Sequence, residues 1–263
     1  MYSVVSKDGT KIAYDKLGLG PAVILVAGAL SARLSWSGPV LSELLATHFT
    51  VYNYDRRGRG DSGDTLPYTV QKEVEDIQAL INEAGEQAGL FGHSSGAALA
   101  MEAVVSPGIQ VKKLALYEAP YNDDRQAQRA WREYLRNLTV LLAANRRGDA
   151  VTSFMRYVGT PDEQIEGMRQ GPFWAGLEAI APTLAYDHTG ILGKDGTVPS
   201  DRASRVRVPT LVMYGGASFP FMKVTAEALG KAITNSELRT LPGQTHNWEA
   251  KVLAPVLTEF FGR

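Results

Sequence analysis

The sequence contains no cysteine among its 263 residues. Disulfide bonds, thiolate metal sites and a cysteine nucleophile are therefore all excluded. Histidine is scarce as well, so any imidazole chemistry has to use one of four residues, His48, His93, His188 and His246. These two shortages narrow the chemistry that the chain can perform, and they leave serine as the main candidate for covalent catalysis.

The sequence also lacks a strong net charge and a long apolar run. It has 27 basic and 28 acidic residues, which gives a formal net charge of −1. This balance gives no electrostatic reason to expect a nucleic acid or an anionic membrane as the main partner. No apolar run approaches the ~18 residues of a membrane-spanning helix, and the N-terminal segment has no apolar signal core. We therefore expect a cytoplasmic monomer or homodimer that binds a small molecule.

Strand and helix patterns alternate over the first 120 residues and again after residue 200. The β-prone segments 2–6 and 10–17 flank Asp8-Gly9, which is a hairpin signal. The apolar run 22–28 is typical of a strand buried on both faces. Further strands are expected at 49–54, 88–93, 111–118, 208–216 and 236–242, with helices at 70–81, 95–106 and 219–233. The alternation predicts an α/β fold with helices on both faces of a parallel sheet.

The middle of the chain has helical patterns and no convincing strand. Apolar residues at helical spacing predict a helix over 123–147, with Gly148 as its stop. The stretch 190–209 is rich in glycine, proline, aspartate and serine, as expected of a linker. We therefore divide the chain into a core of residues 1–120 and 201–263 and a helical insertion of residues 121–200.

The strongest chemical signal is Gly92-His93-Ser94-Ser95-Gly96, a G-x-S-x-G pattern. An apolar strand ends in it and a helix of small residues begins from it, which is the context of a nucleophile elbow. This context predicts a sharp turn in which Ser94 takes a strained backbone conformation that exposes its hydroxyl. The backbone N–H of Ser95 is expected to form half of an oxyanion hole.

On these features the chain resembles the α/β-hydrolase family over essentially its whole length. The resemblance implies an eight-stranded, mostly parallel sheet with a helical cap after the sixth strand, where the insertion falls. Residues 25–30, "LVAGAL", look like the family's oxyanion loop with Ala27 replacing its histidine, which implies that the Ala29 N–H is the second oxyanion donor. His246 follows the last predicted strand, where the family's catalytic histidine lies, and is the expected base for Ser94.

The acid departs from the family's usual pattern. Family members commonly carry it after the seventh strand, three residues past a glycine, where this sequence has Ser218 after Gly215. Glu118, at the end of the sixth strand, is the first alternative, because some relatives, including certain haloalkane dehalogenases, take their acid from that place. Asp187 is the second alternative, and a serine–histidine dyad without an acid is the third.

The substrate pocket is expected to be apolar. Its predicted lining residues follow the oxyanion loop, lie in the elbow, or lie in a Gly/Pro-flanked part of the insertion: Leu30, Trp36, His93, Phe173 and Trp174. No metal is expected, because no H-x-x-x-H pattern or carboxylate cluster at ligand spacing is present. No cofactor is expected either, since Gly18-Leu19-Gly20 is followed by neither a helix nor the third glycine of a dinucleotide fingerprint.

Together these features predict a cofactor-free serine hydrolase acting on a small to medium hydrophobic carboxylic ester or lactone. The same fold also supports other chemistry, so carbon–carbon bond hydrolysis, acyl transfer, perhydrolysis and a cyclase or lyase reaction remain alternatives. A non-catalytic small-molecule binder that retains the elbow is an alternative from another class.

Overall fold

The computed structural model describes residues 1–85 and 87–263, and these form one eight-stranded sheet. The strands are β1 (Tyr2–Val5), β2 (Lys11–Leu17), β3 (Ala22–Val26), β4 (Thr50–Tyr54), β5 (Ala88–His93), β6 (Val111–Tyr117), β7 (Thr210–Gly215) and β8 (Ser236–Leu241). Their spatial order is β1-β2-β4-β3-β5-β6-β7-β8. The pairs β1–β2 and β2–β4 are antiparallel and all the others are parallel, which confirms the prediction of a mostly parallel sheet.

Helices cover both faces of this sheet. In chain order the helices of the described residues are α1 (Gly38–Leu45), α2 (Val70–Glu83), α3 (Ser95–Val105), α4 (Arg125–Ala143), α5 (Arg147–Tyr157), α6 (Asp162–Arg169), α7 (Trp174–Ile180), α8 (Ser200–Ala203), α9 (Pro220–Ala232) and α10 (Ala250–Gly262), of which α4 to α7 lie between β6 and β7. A 3-10 turn, Ala181–Thr183, and a π-helical turn, Tyr186–Ile191, lie between α7 and α8. Within the described ranges, no helix is both long and apolar enough to cross a membrane.

Side-chain alternation along the buried strands divides the core into two layers. In β3, Ile24 and Val26 pack with residues of α2 and α3. Val23 and Leu25 point to the opposite face and pack with residues of α1 and α10. Successive residues of a strand face opposite sides of the sheet, so a strand covered on both faces must be apolar throughout. This explains the continuous apolar run that predicted β3.

The chain between β6 and β7 carries the helices α4 to α7, as the sequence predicted. The predicted stop at Gly148 is wrong, because α4 ends at Ala143 and Gly148 lies inside α5. A Cβ at Gly148 would meet the end of the Glu178 side chain on α7, which would have to shift. Asn145, with a φ of 52°, is the residue that redirects the chain between α4 and α5.

Candidate active site

The candidate catalytic residues all follow strands at one edge of the sheet. Ala29 lies beyond the end of β3, Ser94 follows β5, Glu118 follows β6, and His246 lies in the segment after β8. These four strands run parallel, so their carboxyl ends meet at the same edge. In open α/β sheets this edge is where ligands bind.

Ser94 occupies a sharp turn between β5 and α3. Its φ is 57° and its ψ is −129°, a left-handed backbone conformation that is costly for a residue with a Cβ. Its N–H donates to the carbonyl of Tyr117 at 2.9 Å, which ties the turn to the end of β6. The predicted strained turn is therefore confirmed.

Glycines let the loop after β3 pack directly on this turn. A Cβ at Gly96 would collide with the carbonyl oxygens of Val26 and Ala27. A Cβ at Gly28 would lie 2.9 Å from the Cβ of Ser94. The loop that carries Ala29 is therefore in close contact with the elbow.

Glu118 and His246 form a direct pair. The Oε2 atom of Glu118 lies 2.7 Å from Nδ1 of His246. The carboxylate is buried, and it also accepts from the Gly215 N–H at 2.8 Å and from the Ser218 hydroxyl at 2.9 Å. Glu118 itself has a φ of 51°, so a second strained residue lies beside Ser94 at the same edge. Three donors hold the carboxylate in one orientation toward the imidazole.

Asp187, the alternative acid, binds two arginines and Ser95 instead of His246. Its carboxylate is fully buried and binds Arg56 and Arg59, both at 2.6 Å, and the hydroxyl of Ser95 at 2.8 Å. Burial alone would raise the pKa of Asp187, but the two guanidinium groups outweigh it and lower the pKa to about 2. Asp187 is therefore an ionised partner of two arginines and not of His246.

Two backbone N–H groups at the site are available as donors. Among the described residues, the N–H groups of Ala29 and Ser95 have no backbone acceptor. The carbonyls just before Ala29 are both engaged, since Arg56 donates to Ala27 at 3.1 Å and Arg59 donates to Gly28 at 2.6 Å. The loop is thus fixed through its carbonyls, while the N–H of Ala29 that follows them has no backbone acceptor in the described part of the chain.

His93 lies against the backbone of His246. Its Nε2 is 3.0 Å from the His246 carbonyl oxygen, and a carbonyl can only accept, so Nε2 carries the proton. Burial, with a contribution from the nearby His246, lowers the pKa of His93 to about 3. Its ring stacks on Trp36, with 6.3 Å between the ring centroids, and Trp36 donates to Asn53. The predicted lining residues His93 and Trp36 thus pack together beside His246.

The other three predicted lining residues lie in three different environments. Leu30, with a φ of 50°, packs against both the main core and the core of the inserted helices. Trp174 is buried in that second core and donates to Glu178 at 3.0 Å. Phe173 is 82 % exposed, so the expectation that it lines a buried pocket is not met in this structure. The reason is that Phe173 precedes α7 on the outside of the turn, and Trp174 takes the inward position.

Two side chains that support the Glu118–His246 pair were not identified from the sequence. One is Ser218, and the other is Tyr117, whose hydroxyl donates at 2.6 Å to the carbonyl of Thr245, the residue before His246. A signal for Ser218 was present, because it occupies the position where the family commonly carries its acid.

The burial of three arginines in the loop after β4 was also missed. Two of their four carboxylate partners, Glu73 and Asp76, lie on α2 beside its apolar stripe, and the other two are Asp8 and Asp187. The sequence signal for this burial was the position of the acidic residues Glu73 and Asp76 next to the apolar stripe of α2. The arginines are Arg56, Arg57 and Arg59, all with at most 1 % exposure.

Comparison with solved structures supports the fold. An alpha/beta hydrolase from Sphaerobacter thermophilus DSM 20745 is 47 % identical, with a TM-score of 0.89 over 99 % of this chain and 100 % of that chain. A thermophilic esterase from Thermogutta terrifontis is 21 % identical, with a TM-score of 0.71 over 99 % of this chain and 97 % of that chain. At that lower identity the likeness shows the fold alone.

Sequence comparison gives the same family. A protein from Synechocystis sp., provisionally named a non-heme chloroperoxidase, is 26 % identical over 95 % of this chain and 94 % of its own length. Residues 23–254 match the family described as "Alpha/beta hydrolase family", which is most of the sequence. The chain belongs to the alpha/beta hydrolase family.

Proposed function

We propose that the protein is a serine hydrolase that cleaves a small to medium hydrophobic carboxylic ester or lactone through an acyl-enzyme on Ser94. The observation that carries this proposal is the 2.7 Å contact between Glu118 and His246 at the sheet edge where the strained elbow presents Ser94. A serine is a weak nucleophile at its own pKa, and an adjacent base held by a third group is the usual way to activate it.

His246 acts as the general base in this proposal. Its Nδ1–H donates to Glu118, which leaves Nε2 unprotonated and able to take the Ser94 proton as Oγ attacks the substrate carbonyl. The negative charge of Glu118 then stabilises the imidazolium that forms. His246 returns the proton to the leaving alcohol, and it later activates the water that releases the acid.

The tetrahedral intermediate is held by the N–H groups of Ala29 and Ser95. Both groups lack a backbone acceptor within the described chain, and Ser95 begins α3, whose N-terminus favours negative charge. Preorganised donors of this kind stabilise charge that develops in the transition state, and removing one typically costs about 10²–10³ in turnover.

The inserted helices form a cap that sets specificity in this proposal, with residues 1–120 and 201–263 as the hydrolase core and 121–200 as the cap. Leu30, one residue after the proposed donor Ala29, packs against the core of these helices. The contact supports an apolar surrounding for the reacting carbonyl, which favours substrates with a hydrophobic acyl or alcohol part.

A panel of nitrophenyl esters of increasing acyl length, together with simple lactones, tests the proposal. Wild type should show saturable hydrolysis with an optimum length, and Ser94→Ala should lose at least about 10³-fold in turnover. Equal hydrolysis by Ser94→Ala would contradict the proposal. Saturable binding of these compounds without any turnover would instead favour a non-catalytic binder.

Perhydrolysis is a second candidate. It is favoured by the likeness, over most of both chains, to the Synechocystis protein that is provisionally named a non-heme chloroperoxidase. Hydrogen peroxide would then replace water as the nucleophile that attacks the acyl-enzyme, releasing a peroxycarboxylic acid and regenerating the Ser94 hydroxyl. Product analysis at fixed ester and increasing peroxide separates the two. Peroxy acid as the main product at low millimolar peroxide would favour perhydrolysis, and carboxylic acid alone would favour hydrolysis.

A further inference from the structure

A buried carboxylate on the inserted segment contacts the elbow directly. Asp187 lies in the π-helical turn Tyr186–Ile191 and is fully buried. Its Oδ1 accepts from the Ser95 hydroxyl at 2.8 Å. Ser95 follows Ser94 in the chain and carries one of the two proposed oxyanion donors. A side chain from the insertion therefore forms a hydrogen bond with a residue of the elbow.

Two arginines connect the same carboxylate to the other proposed donor. Arg56 and Arg59 each bind Asp187 at 2.6 Å, and the same guanidinium groups donate to the carbonyls of Ala27 and Gly28. The Gly28 carbonyl belongs to the peptide unit whose N–H is that of Ala29. Because a peptide unit is planar and trans, fixing the direction of this carbonyl fixes the opposite direction of the Ala29 N–H.

The turn that carries Asp187 is itself held in place. The ring of Tyr186 stacks on Tyr68 with 3.9 Å between the centroids, and the Tyr68 hydroxyl donates to Glu73 at 3.0 Å. Glu73 in turn accepts from Arg56 at 2.7 and 2.8 Å. Asp187 is therefore tied both to α2 and to the loop after β4.

We infer that Asp187 is a positioning residue for the oxyanion hole, holding Arg59 and Ser95 so that the N–H groups of Ala29 and Ser95 converge on the developing oxyanion. The inference rests on the proposed function and extends it, because it makes turnover depend on how the inserted segment is seated. Asp187 contacts neither the substrate nor His246 in this account, and it acts through the two peptide groups.

A neighbouring ion pair offers a matched control. Arg57 lies between the two arginines of this network in the chain, is equally buried, and binds Asp76 at 2.7 and 2.8 Å. Its other partners are Asp8 and the carbonyl of Lys72, and none of these belongs to the oxyanion loop or the elbow. Asp76→Asn thus breaks a buried ion pair of the same kind without touching the proposed donors.

The test compares Asp187→Asn with Asp76→Asn in the full chain, at a temperature where both are folded. For a nitrophenyl ester, Asp187→Asn should lower kcat about 10- to 100-fold with KM within about threefold, since loss of donor alignment affects the transition state selectively. Asp76→Asn should keep both constants within about threefold of wild type.

A trifluoromethyl ketone gives a second readout that a merely structural role would not move. Ser94 Oγ adds to its carbonyl carbon, the C=O π bond becomes an oxyanion, and the serine proton passes to His246, so the adduct needs the hole. Its inhibition constant should rise in Asp187→Asn by the same factor as kcat falls.

Ser95→Ala covers the case in which Asp187→Asn does not fold, because it keeps both ion pairs and the backbone N–H of residue 95. It should lower kcat about threefold to tenfold with KM unchanged. A folded Asp187→Asn that matches Asp76→Asn, a loss confined to KM, or a Ser95→Ala equal to wild type would overturn the inference alone. A wild type inert to both ester and ketone would overturn the proposed function and this inference with it.

Discussion

The Oε2 atom of Glu118 lies 2.7 Å from Nδ1 of His246, although 128 positions separate the two residues in the chain. The contact joins the end of β6 to the segment after β8. The Gly215 N–H and the Ser218 hydroxyl donate to the same carboxylate, so two further hydrogen bonds set its orientation toward the imidazole. Such a carboxylate selects the tautomer that leaves Nε2 free to act as a base.

Replacement of Glu118 by glutamine tests this pair. Glu118→Gln should lower kcat by about 10³–10⁴, because an amide cannot stabilise the imidazolium and can select the wrong tautomer. The variant should still fold, since the side chains have the same shape, with a modest drop in the thermal midpoint because the amide nitrogen cannot accept the hydrogen bonds that a carboxylate oxygen accepts. Glu102→Gln is the control, because Glu102 is a largely buried glutamate that pairs with Arg202 on another part of the fold. Near-normal turnover in Glu118→Gln would remove Glu118 from the mechanism.

The position of Ser218 makes a relocation of the acid testable. The Ser218 hydroxyl lies 2.9 Å from the Glu118 oxygen that contacts His246, so a carboxylate at 218 can reach the space left by Glu118→Ala. The double variant Glu118→Ala/Ser218→Asp should recover at least about tenfold in kcat over Glu118→Ala. Glu118→Ala/Ser218→Asn has the same shape without the charge and should recover nothing. Equal rates for the two double variants would show that charge at this place does not assist His246.

His188 should make stability depend on pH. It is 3 % exposed, its Nδ1 lies 2.8 Å from the Tyr134 hydroxyl, and its ring packs against Trp131 and Phe154. Burial lowers its pKa to about 4; Asp187 opposes the shift, while Arg59 and Arg56 add to it. The unfolded value is about 6.5, so below pH ~6.5 the unfolded chain binds a proton that the folded chain does not.

This contribution to stability is complete above pH ~6.5 and is lost as the pH falls toward 4. The free energy of unfolding should drop by about 2 kcal/mol between pH 7 and pH 5 from His188 alone. In urea unfolding, His188→Asn should be less stable at pH 7 but should show a shallower drop between these pH values. Some dependence of stability on pH should remain in His188→Asn, because the pKa of His93 is lowered as well. An unchanged slope in His188→Asn would contradict the assignment.

Local patterns in the sequence predicted the sheet and the elbow because those features depend on neighbouring residues. The apolar run of β3 and the glycines around Ser94 are required by burial and by a close backbone approach, and both are visible in a few consecutive residues. The acid was not decided by such a pattern. Glu118 and Asp187 both end or interrupt an apolar segment, and only the tertiary structure shows which one contacts His246.

The wrong helix stop and the unpredicted burial of the arginines have the same origin. Gly148 is a residue typical of a helix stop, but it lies inside α5, where it packs beside the Glu178 side chain of another helix. The loop containing Arg56 and Arg59 has the composition of a solvated segment. The carboxylate that pairs with both buried arginines belongs to Asp187, which lies 131 and 128 positions further along the chain. Contacts of this range leave no periodic signal in the sequence.

The central claim is that Ser94 is the nucleophile, and labelling with a fluorophosphonate tests it most directly. Attack of Oγ on phosphorus expels fluoride and leaves a stable adduct that mass spectrometry locates to a peptide. At neutral pH, wild type should carry a single adduct on the peptide containing Ser94, and Ser94→Ala should carry none. Folded wild type that stays unlabelled, or an adduct that persists in Ser94→Ala, would contradict the account.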